Sequence, residues 1–516
     1  MNKVKILITG IVALFIIGLI AIAATVFVYV HTLWVIVVLF VAVFVIDACF
    51  GFYILNSERH FYTKTCWLFA LLLLPLVGCL IFVVFGTIPM TRKKWREYNN
   101  NQAKYVRFEN YTYSNLLRKS SGSDVNLFMY SLNSSLKPIY LNNNIRVIES
   151  NSLLYKEEIE LIRSAKEFIH FETYIIHDGF FFRTFCAELI KKAKEGVKVR
   201  FLYDWYGSYY RFKKRQLKEL RQAGIEVAIF NPKGINMFKG TTNYRLHRKA
   251  LIIDNKKAIY GGSNIGDEYL SMDATKYYWR DQNYVVEGEI VNTINVGFCS
   301  DWVDFTDYSL DKRQRKEFIN NLKSVLNIHK GNNKINMQLV SSSPNYAEKG
   351  VLNTMNNLFI RATKSIKLIT PYLLPTDLLL SALTIASWNG VTVEIIVPGR
   401  RDNKDFIIHM NRTNYQRLLD TKCKVYEYNG FIHSKYIVVD DQFVLTGSSN
   451  LDFRSLWINF ENALLVDNQQ FAKQMSRCFE DEKNNSIVVT QDLINCERTI
   501  KTKIKDLILS TYKPLL

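Results

Sequence analysis

One stretch of this 516-residue sequence occurs twice, and the duplication constrains the fold more than any other feature. Each copy has a histidine and a lysine two positions apart, followed at fixed distances by an aspartate, a glycine and an asparagine. All five residues return 186 positions later. So constant a displacement predicts two copies of one structural unit. The equivalent pairs are His247 and His433, Lys249 and Lys435, Asp254 and Asp440, Gly261 and Gly447, and Asn264 and Asn450.

The same order of predicted helices and strands precedes both copies of the motif. Helical apolar spacing alternates with short extended segments, and Gly-Val-x-Val begins an equivalent strand at Gly196 and at Gly390. This alternation predicts an α/β fold, with a largely parallel sheet and helices on its faces in each half. We expect the halves to pack about a pseudo-twofold axis that brings the motifs together. Helices are predicted over 157–168, 182–194, 213–223, 353–363, 378–388 and 415–420, and strands over 169–176, 196–203, 225–230, 366–370, 390–397 and 424–428.

Three apolar runs open the chain, and each is long enough for a helix that crosses a bilayer, which takes about 20 residues. A cleaved signal peptide is the alternative for the first run, but this run continues to Val30, beyond a typical signal core. Asp47 lies within the second run, where its carboxyl should face another helix or water. The runs are 6–30, 33–55 and 66–85, and they predict a membrane region over 1–96, a linker over 97–140, and two halves over 141–330 and 331–516.

Charge and cysteine usage limit the partners and cofactors. The formal net charge of +19 suits an anionic partner, either nucleic acid or an acidic bilayer, with a lysine-rich solvated surface as the alternative. A basic cluster at 92–96 predicts a cytoplasmic catalytic domain in a multi-pass cell-membrane protein, although basic residues flanking the other runs favour the opposite side. The eight cysteines lack the spacing of a metal or redox site, which predicts reduced thiols and no metal or cofactor.

The residues of the motif suit phosphate chemistry. His247 and Lys249 lie on one face of a predicted strand, as do His433 and Lys435. Facing halves would converge two imidazoles and two ammonium groups on one phosphate. One histidine can form a phosphohistidine while the other is acid and then base, and the duplication alone does not choose between them. The lysines would bind phosphate oxygens together with amide and hydroxyl groups of Asn264, Asn450, Ser263 and Ser448.

The aspartates of the motif, Asp254 and Asp440, complete the candidate catalytic set but lie an odd number of positions from their histidines. On a regular strand they face away, so we expect them to hold strand ends or the interface between the halves. Asp281 and Glu461 are better candidates for orienting the imidazoles. A carboxylate on the far ring nitrogen fixes the tautomer and raises the basicity of the histidine.

The motif H-x-K-x4-D-x6-G-[GS]-x-N, present twice, resembles the signature of the phospholipase D superfamily. The surrounding residues resemble one branch, the bacterial cardiolipin synthases, over roughly residues 55 to 516. Two features depart from that pattern: the first apolar run is additional, and Leu246 stands where a polar residue is expected. The segments that carry the resemblance are 67–86, 261–270, 278–281, 287–289, 430–433, 450–455 and 459–461.

This resemblance implies an α/β fold of two mixed sheets flanked by helices, duplicated about a pseudo-twofold axis and preceded by transmembrane helices. It implies that the protein condenses two phosphatidylglycerol molecules into cardiolipin and glycerol through a phosphatidyl-histidine. By resemblance, His247 is the nucleophile and His433 the acid. The implied partners are phosphatidylglycerol and cardiolipin in the membrane rather than nucleic acid.

Three alternatives remain open from the residues themselves. The first is a membrane-bound hydrolase of the same superfamily that releases phosphatidic acid. The second is a tethered nuclease, which the positive charge permits, although the sequence has no evident aromatic run for stacking single strands. The third is a lipid-binding scaffold without activity, which two complete motifs argue against.

Overall fold

The computed structural model divides into two compact units, an N-terminal helical unit and a larger α/β unit that holds both motifs. The basic cluster at 92–96, the first part of the predicted linker (97–121) and the C-terminal segment 498–516 lie outside the described residues. The structure describes residues 2–29, 33–57, 59, 61–86, 122–135, 137–208, 211, 214–231, 244–272, 278–306, 331, 333–344, 349–399 and 405–497.

In the N-terminal unit, four helices replace the three predicted ones. They are α1 (Asn2–Tyr29), α2 (Leu33–Leu55), α3 (Phe61–Leu73) and α4 (Val77–Phe85). The prediction of one continuous helix over 66–85 is wrong, because Pro75 cannot donate a backbone hydrogen bond and its ring clashes with the preceding turn.

Asp47 hydrogen-bonds to the start of the helix that follows the break at Pro75. At the start of α4 the carboxylate of Asp47 accepts hydrogen bonds from the backbone N–H of Leu76 (3.2 Å) and from the thiol of Cys79 (3.0 Å). Its side chain therefore faces a neighbouring helix, as predicted. Within the described residues, one helix is long and apolar enough to cross a membrane, at Ile36–Leu55, with a mean hydropathy of 2.5. The predicted set of three spans is not confirmed.

In the α/β unit, each half has its own sheet. The first sheet has seven strands in the order β2-β9-β7-β6-β3-β4-β5, and the second has nine in the order β1-β10-β17-β16-β15-β11-β12-β13-β18. The strands are β1 (Ile139–Tyr140), β2 (Asn143–Ile148), β3 (Phe168–Thr173), β4 (Lys198–Asp204), β5 (Glu226–Phe230), β6 (Ala250–Ile253), β7 (Lys257–Gly261), β8 (Trp279–Arg280), β9 (Asn283–Gly288), β10 (Asn336–Ser342), β11 (Ser365–Ile369), β12 (Thr392–Pro398), β13 (Lys424–Tyr428), β14 (Phe431–Ile432), β15 (Tyr436–Val439), β16 (Phe443–Gly447), β17 (Glu461–Asp467) and β18 (Ser486–Val488).

Both sheets are mixed, as the family resemblance implies. The prediction of largely parallel sheets, made from the local pattern, is wrong for the strands that follow each motif. Strands β3, β4 and β5 are parallel, as are β11, β12 and β13, because helices cross over between them. Strands β6 and β7 instead form an antiparallel hairpin. Asp254 and Asn255 connect them with φ of 51° and 54°, the left-handed conformation of a tight hairpin turn. Asp440 and Asp441 form the same turn between β15 and β16.

The helices cover the faces of the sheets, and some of them begin at residues whose side chains cap them. The Ser150 hydroxyl accepts the N–H of Leu153, so the first helix of this half starts six residues before the predicted position 157. On the next helix Phe181, Phe182 and Phe185 are fully buried, and each contributes about 1.5–3 kcal/mol. The helices are α5 (Gly122–Ser135), α6 (Asn151–Ser164), α7 (Phe180–Lys194), α8 (Trp205–Ser208), α9 (Lys214–Gln222), α10 (Ile290–Phe305), α11 (Gly350–Arg361), α12 (Asp377–Trp388), α13 (Asp405–Arg412), α14 (Tyr415–Leu419), α15 (Phe453–Trp457), α16 (Gln469–Asn484) and α17 (Gln491–Glu497).

The last part of the predicted linker over 97–140 belongs to the second sheet instead. Strand β1 pairs antiparallel with β10, and Leu127 and Phe128 of α5 are buried in the core of the second half. Burial of these apolar side chains holds 122–140 in place, apart from residue 136, which lies outside the described residues.

Short strands join the two halves and place the site between them. Strand β14 of the second half pairs with β8 of the first, and Leu246 forms a parallel bridge with Phe460. Behind these strands the hydroxyl of Thr446 donates to that of Tyr284 (2.9 Å). Each histidine segment is therefore fixed by backbone pairing with the opposite half.

Candidate active site

The backbone N–H of each motif histidine donates a hydrogen bond to the other half of the α/β unit. The N–H of His247 donates to the carbonyl of Phe460 (3.0 Å), and the N–H of His433 donates to that of Arg280 (2.6 Å). The residue after each acceptor carries a carboxyl group, Glu461 in one case and Asp281 in the other. The same pairing that fixes a histidine therefore delivers a carboxylate beside its ring.

The carboxylates are exchanged between the halves. Oε1 of Glu461 lies 2.7 Å from Nδ1 of His247, and Oδ2 of Asp281 lies 2.7 Å from Nδ1 of His433. A proton on Nδ1 donates to the carboxylate and leaves Nε2 of each ring for chemistry. The structure therefore brings Asp281 and Glu461 to the histidines, as the sequence suggests, and shows that each serves the opposite motif.

Both orienting carboxylates are ionised. Burial acts to raise the pKa of Glu461, but the nearby His247 and Lys249 hold this pKa below its usual value. For Asp281 burial is likewise outweighed, here by Lys435 and His433, and the pKa is lowered. Each carboxylate can thus stabilise the positive charge that develops on its imidazole.

Burial dominates the protonation of the two histidines and two lysines of the motifs. It lowers the pKa of His247 to about 4 and that of His433 to about 3, so both imidazoles are neutral at pH 7. It also lowers the pKa of Lys249 to about 7 and that of Lys435 to about 8. A bound phosphate would oppose these shifts, because its negative charge favours the protonated forms.

The two motifs form one electrostatic cluster. The charge of Lys435 acts on the pKa of His247, and the charge of Lys249 acts on that of His433. Lys249 Nζ donates to the carbonyl of His247 (2.5 Å), and Lys435 Nζ donates to the carbonyl of His433 and lies 2.7 Å from its Nδ1. The charge of each ammonium group therefore reaches the imidazole of the opposite motif.

The two asparagines and Ser263, which are predicted to bind phosphate, hydrogen-bond to other groups of the protein. Asn264 bonds through Oδ1 to the N–H of Ile175 (3.0 Å) and through Nδ2 to the hydroxyl of Tyr269 (3.3 Å). Asn450 is buried and hydrogen-bonds Asp452. The hydroxyl of Ser263 accepts from Nδ2 of Asn283 (2.8 Å).

Ser448, predicted to bind phosphate, has a carboxylate partner. Its hydroxyl donates to Oε2 of Glu461 (2.5 Å) and is fully buried behind the histidine. Nδ2 of Asn459 lies 3.3 Å from the other oxygen of the same carboxylate. Ser448 therefore positions Glu461, because a hydrogen bond to each oxygen fixes the plane of the carboxylate.

The aspartates of the motif are also remote from the imidazoles. Asp254 accepts hydrogen bonds of 2.8 Å from three successive N–H groups at the start of β3, those of Lys166, Glu167 and Phe168. Asp440 does the same at the start of β11, through the N–H groups of residues 363, 364 and 365. This geometry corrects the inclusion of Asp254 and Asp440 among the candidate catalytic residues. It confirms the expectation that they hold strand ends.

Sequence reasoning missed the aromatic groups beside the histidines. The ring of Tyr174 meets that of His247 edge to face at 5.3 Å between centroids, and Trp279 lies 4.9 Å from the ring of His433. Tyr174 directly follows β3, where side chains commonly line a site, but no spacing rule connects it to the motif. Within the described parts of the chain, no group of three or more His, Cys, Asp or Glu side chains could hold a metal ion, and the cysteines with described side chains form no disulfide.

These groups can carry out displacement at phosphorus. An imidazole with Nδ1–H bound to a carboxylate presents a basic Nε2, and the second imidazole can pass a proton to or from an oxygen. Two ammonium groups in a buried site stabilise negative charge on the phosphoryl oxygens. The arrangement therefore suits transfer of a phosphodiester in two steps through a phosphohistidine.

Comparisons with known proteins agree with this fold. The family model described as "Cardiolipin synthase, PLD-like domain" matches residues 159–302 and 355–483. A cardiolipin synthase of Alkalihalophilus pseudofirmus is 35% identical over 452 residues, which cover 86% of this chain and 88% of the relative. One of Clostridium perfringens is 32% identical over 463 residues, which cover 89% of this chain and 95% of the relative. The solved phosphatidylserine synthase of Haemophilus influenzae shares the fold, with a TM-score of 0.58, 17% identity, and coverage of 77% of this chain and 100% of that one. The chain belongs to the cardiolipin synthase family of phospholipase D-like proteins.

Proposed function

We propose that this protein is a phosphatidyltransferase that makes cardiolipin and glycerol from two molecules of phosphatidylglycerol. One observation carries the proposal: two neutral imidazoles, each bonded to a buried carboxylate of the other half, lie beside two buried lysines. Relatives of similar length that are named cardiolipin synthase support this choice of reaction.

In the first step of the proposed mechanism, Nε2 of His247 attacks the phosphorus of one phosphatidylglycerol. The bond between phosphorus and the headgroup oxygen breaks. His433, which the negative charge of the bound phosphate keeps protonated, gives its proton to that oxygen, and glycerol leaves. Glu461 stabilises the positive charge on His247 through the hydrogen bond at Nδ1 (2.7 Å). The product of this step is a phosphatidyl-histidine.

In the second step, neutral His433 takes the proton of a headgroup hydroxyl on the second phosphatidylglycerol. The oxygen attacks phosphorus, the P–N bond to His247 breaks, and cardiolipin forms. Asp281 holds the His433 ring and stabilises its protonated form between the steps. His433 ends the cycle protonated, so no net proton is consumed.

The nucleophile can be identified with a donor that has a better leaving group. A nitrophenolate leaves without a proton, so His433→Ala should form the phosphatidyl-enzyme from a nitrophenyl phosphodiester at nearly the rate of the wild type. His247→Ala should form none. The reverse pattern would assign the nucleophile to His433.

The overall reaction is tested by lipid analysis in a host that lacks cardiolipin. We expect cardiolipin after expression of the wild type and none after expression of His247→Ala or His433→Ala at equal protein level. Labelled phosphatidylglycerol separates the alternative hydrolase, since phosphatidic acid without cardiolipin would contradict transfer. Cardiolipin formation by the His247 variant would rule out the site.

We also propose that the catalytic domain is cytoplasmic and that several N-terminal helices, including Ile36–Leu55, hold the protein in the cell membrane. The basic cluster at 92–96 supports this orientation. Reporters fused after Leu516 provide the test: fluorescence without phosphatase activity is expected, and phosphatase activity without fluorescence would reverse the orientation.

A further inference from the structure

The lysines of the two motifs are equivalent by duplication, yet they contact different groups. Nζ of Lys249 donates to the carbonyl of His247 (2.5 Å) and lies 5.8 Å from the ring centre of Tyr174. Nζ of Lys435 donates to the carbonyl of His433 and also lies 2.7 Å from Nδ1 of the same ring. Among the hydrogen bonds of the described residues, Lys249 has none to a ring nitrogen. Of the two lysines, only the second therefore bonds to the imidazole of its own motif.

One difference in sequence favours these two arrangements. Thr173 and Thr370 are equivalent residues at the ends of β3 and β11, since each hydroxyl donates to the carbonyl two positions later. Tyr174 follows the first threonine, and Pro371 follows the second. An ammonium group is attracted to the face of a tyrosine ring, and proline has no such face. Lys249 thus has an aromatic partner that the lysine of the second motif lacks.

Nδ1 of His433 has two partners, which require opposite protonation states of this nitrogen. Oδ2 of Asp281 lies 2.7 Å away, and a carboxylate accepts a hydrogen bond only from a protonated Nδ1. Nζ of Lys435 lies at the same distance, and an ammonium group donates only to an unprotonated Nδ1. Because a neutral imidazole carries one proton, the first contact leaves Nε2 unprotonated and the second leaves it protonated. The geometry therefore supports both tautomers of this ring.

The charges around Lys435 favour transfer of its proton to the ring. Burial lowers the pKa of this lysine to about 8, although three nearby carboxylates oppose the shift. Burial also lowers the pKa of His433, and the charge of Lys435 lowers it further. A proton that leaves the lysine removes that repulsion. The imidazole is therefore protonated more easily from Lys435 than from another donor while the lysine stays charged.

We propose that Lys435 supplies the proton with which His433 acts as an acid, an inference that rests on the proposed transfer between two phosphatidylglycerols. A proton moves from Nζ of Lys435 to Nδ1 of the ring, which already carries a proton on Nε2, and leaves a neutral amine beside an imidazolium. The Nε2 proton then passes to the glycerol oxygen as its bond to phosphorus breaks. The neutral ring keeps the proton on Nδ1, which donates to Asp281, and its Nε2 is unprotonated. The first step thus leaves His433 in the tautomer that the second step needs as a base.

The second step restores the starting state. Nε2 of His433 takes the proton of the attacking hydroxyl as the bond between phosphorus and His247 breaks, so the ring is again an imidazolium. When cardiolipin leaves, the Nδ1 proton returns to Nζ of Lys435, and no proton is gained or lost over the cycle. The lysine contact at one ring assigns the acid and base role to His433, a choice that the duplication alone does not make.

Arginine in place of each lysine tests the proton supply on the full-length protein in mixed micelles. A guanidinium keeps the positive charge and donates hydrogen bonds, but it does not release its proton. Lys435→Arg should slow phosphatidyl-enzyme formation from phosphatidylglycerol at least about 100-fold more than from a nitrophenyl diester, whose leaving group needs no proton. Lys249→Arg is the matched control at the equivalent position and should slow both donors by the same factor. Equal slowing of both donors by Lys435→Arg would overturn the inference, as would the same preference in the control.

The tautomer of His433 is a second measurement, which does not depend on turnover and decides the question if neither donor reacts with Lys435→Arg. In wild-type protein with isotope-labelled histidine and without added lipid, the nitrogen shift of its Nδ1 should lie between those of protonated and unprotonated ring nitrogens. Nδ1 of His247 should show the protonated value. Lys435→Met should move His433 to the protonated value, and His247→Ala and His433→Ala identify the signals. Fully protonated Nδ1 at both rings of the wild type would overturn the inference.

The outcomes also separate this inference from the proposed function. A wild type that makes no cardiolipin would contradict the transfer between two lipids, while the tautomer measurement would still test the lysine contact. A wild type that makes cardiolipin with protonated Nδ1 at both rings, or with equal slowing of both donors in Lys435→Arg, would contradict the proton supply alone.

Discussion

Replacing Glu461 with glutamine tests the exchanged carboxylates most directly. The side chain is fully buried, and its Oε1 lies 2.7 Å from Nδ1 of His247. Glutamine has nearly the same volume and keeps hydrogen-bonding groups for Ser448 and Asn459, so we expect the fold to persist. The variant removes the negative charge that stabilises the imidazolium and the phosphohistidine.

The size of the effect follows from that hydrogen bond. A bond to a charged group contributes about 1.5–3 kcal/mol, and 1.36 kcal/mol changes a rate tenfold, so loss of charge alone predicts a decrease of about 10- to 150-fold in kcat. If the new amide donates to Nδ1 of His247, the imidazole proton lies on Nε2 instead. A protonated Nε2 cannot attack phosphorus. The equivalent change in the serine protease triad lowers kcat by about 10⁴. We therefore expect a loss of about 10²- to 10⁴-fold for Glu461→Gln.

The assay uses two donors, because the two carboxylates should affect different steps. Glu461→Gln should slow phosphatidyl-enzyme formation from both phosphatidylglycerol and a nitrophenyl diester. Asp281→Asn should slow only the reaction of phosphatidylglycerol, whose leaving oxygen needs a proton from His433. A folded Glu461→Gln protein with more than about a third of wild-type activity would refute the reasoning. An opposite donor pattern would exchange the roles of the histidines.

Three further predictions concern pH and stability. In the ligand-free protein, NMR should show His247 and His433 neutral throughout pH 5–8, since burial lowers each pKa below 6.5; midpoints near 6.5 would contradict this. Because the unfolded chain binds more protons below pH 6.5, these histidines should reduce stability as pH falls from there toward 4. Lys249→Met should abolish activity yet raise the melting temperature at pH 7.5, since a folded pKa of about 7 against 10.5 unfolded costs on the order of 2–4 kcal/mol; an unchanged or lower melting temperature would refute the penalty. Asp254→Asn should cost about 2–3 kcal/mol in chemical denaturation and leave kcat within about threefold, whereas a catalytic role would lower kcat far more.

Much of the fold could be predicted because short sequence patterns indicate its helices and strands. Helical and strand periodicity located the elements before each motif, and the constant spacing identified the duplication. The local periodicity missed the antiparallel strands, which only the family resemblance implied, although a signal existed: Asp254-Asn255 and Asp440-Asp441 are suited to left-handed hairpin turns. Pro75 likewise indicated the helix break that the apolar run concealed.

Most residues of the site could be predicted from the sequence, but the contacts between them could not. The odd spacing of Asp254 correctly excluded contact with its own histidine, and acidic residues downstream identified Asp281 and Glu461. Backbone pairing between distant segments, as at Phe460 and Arg280, determines which carboxylate contacts which imidazole. No local sequence pattern indicates this pairing. The bond between Ser448 and Glu461 could not be predicted for the same reason, since the two residues are thirteen positions apart.

The exchange of carboxylates makes the two halves interdependent. A fragment that stops before Glu461 contains a complete first motif, yet its His247 has no group to hold the reactive tautomer. Conversely, an isolated second half has His433 without Asp281. Premature termination or separation of the halves should therefore abolish both chemical steps at once, and activity should return only when the complementary fragments reassociate.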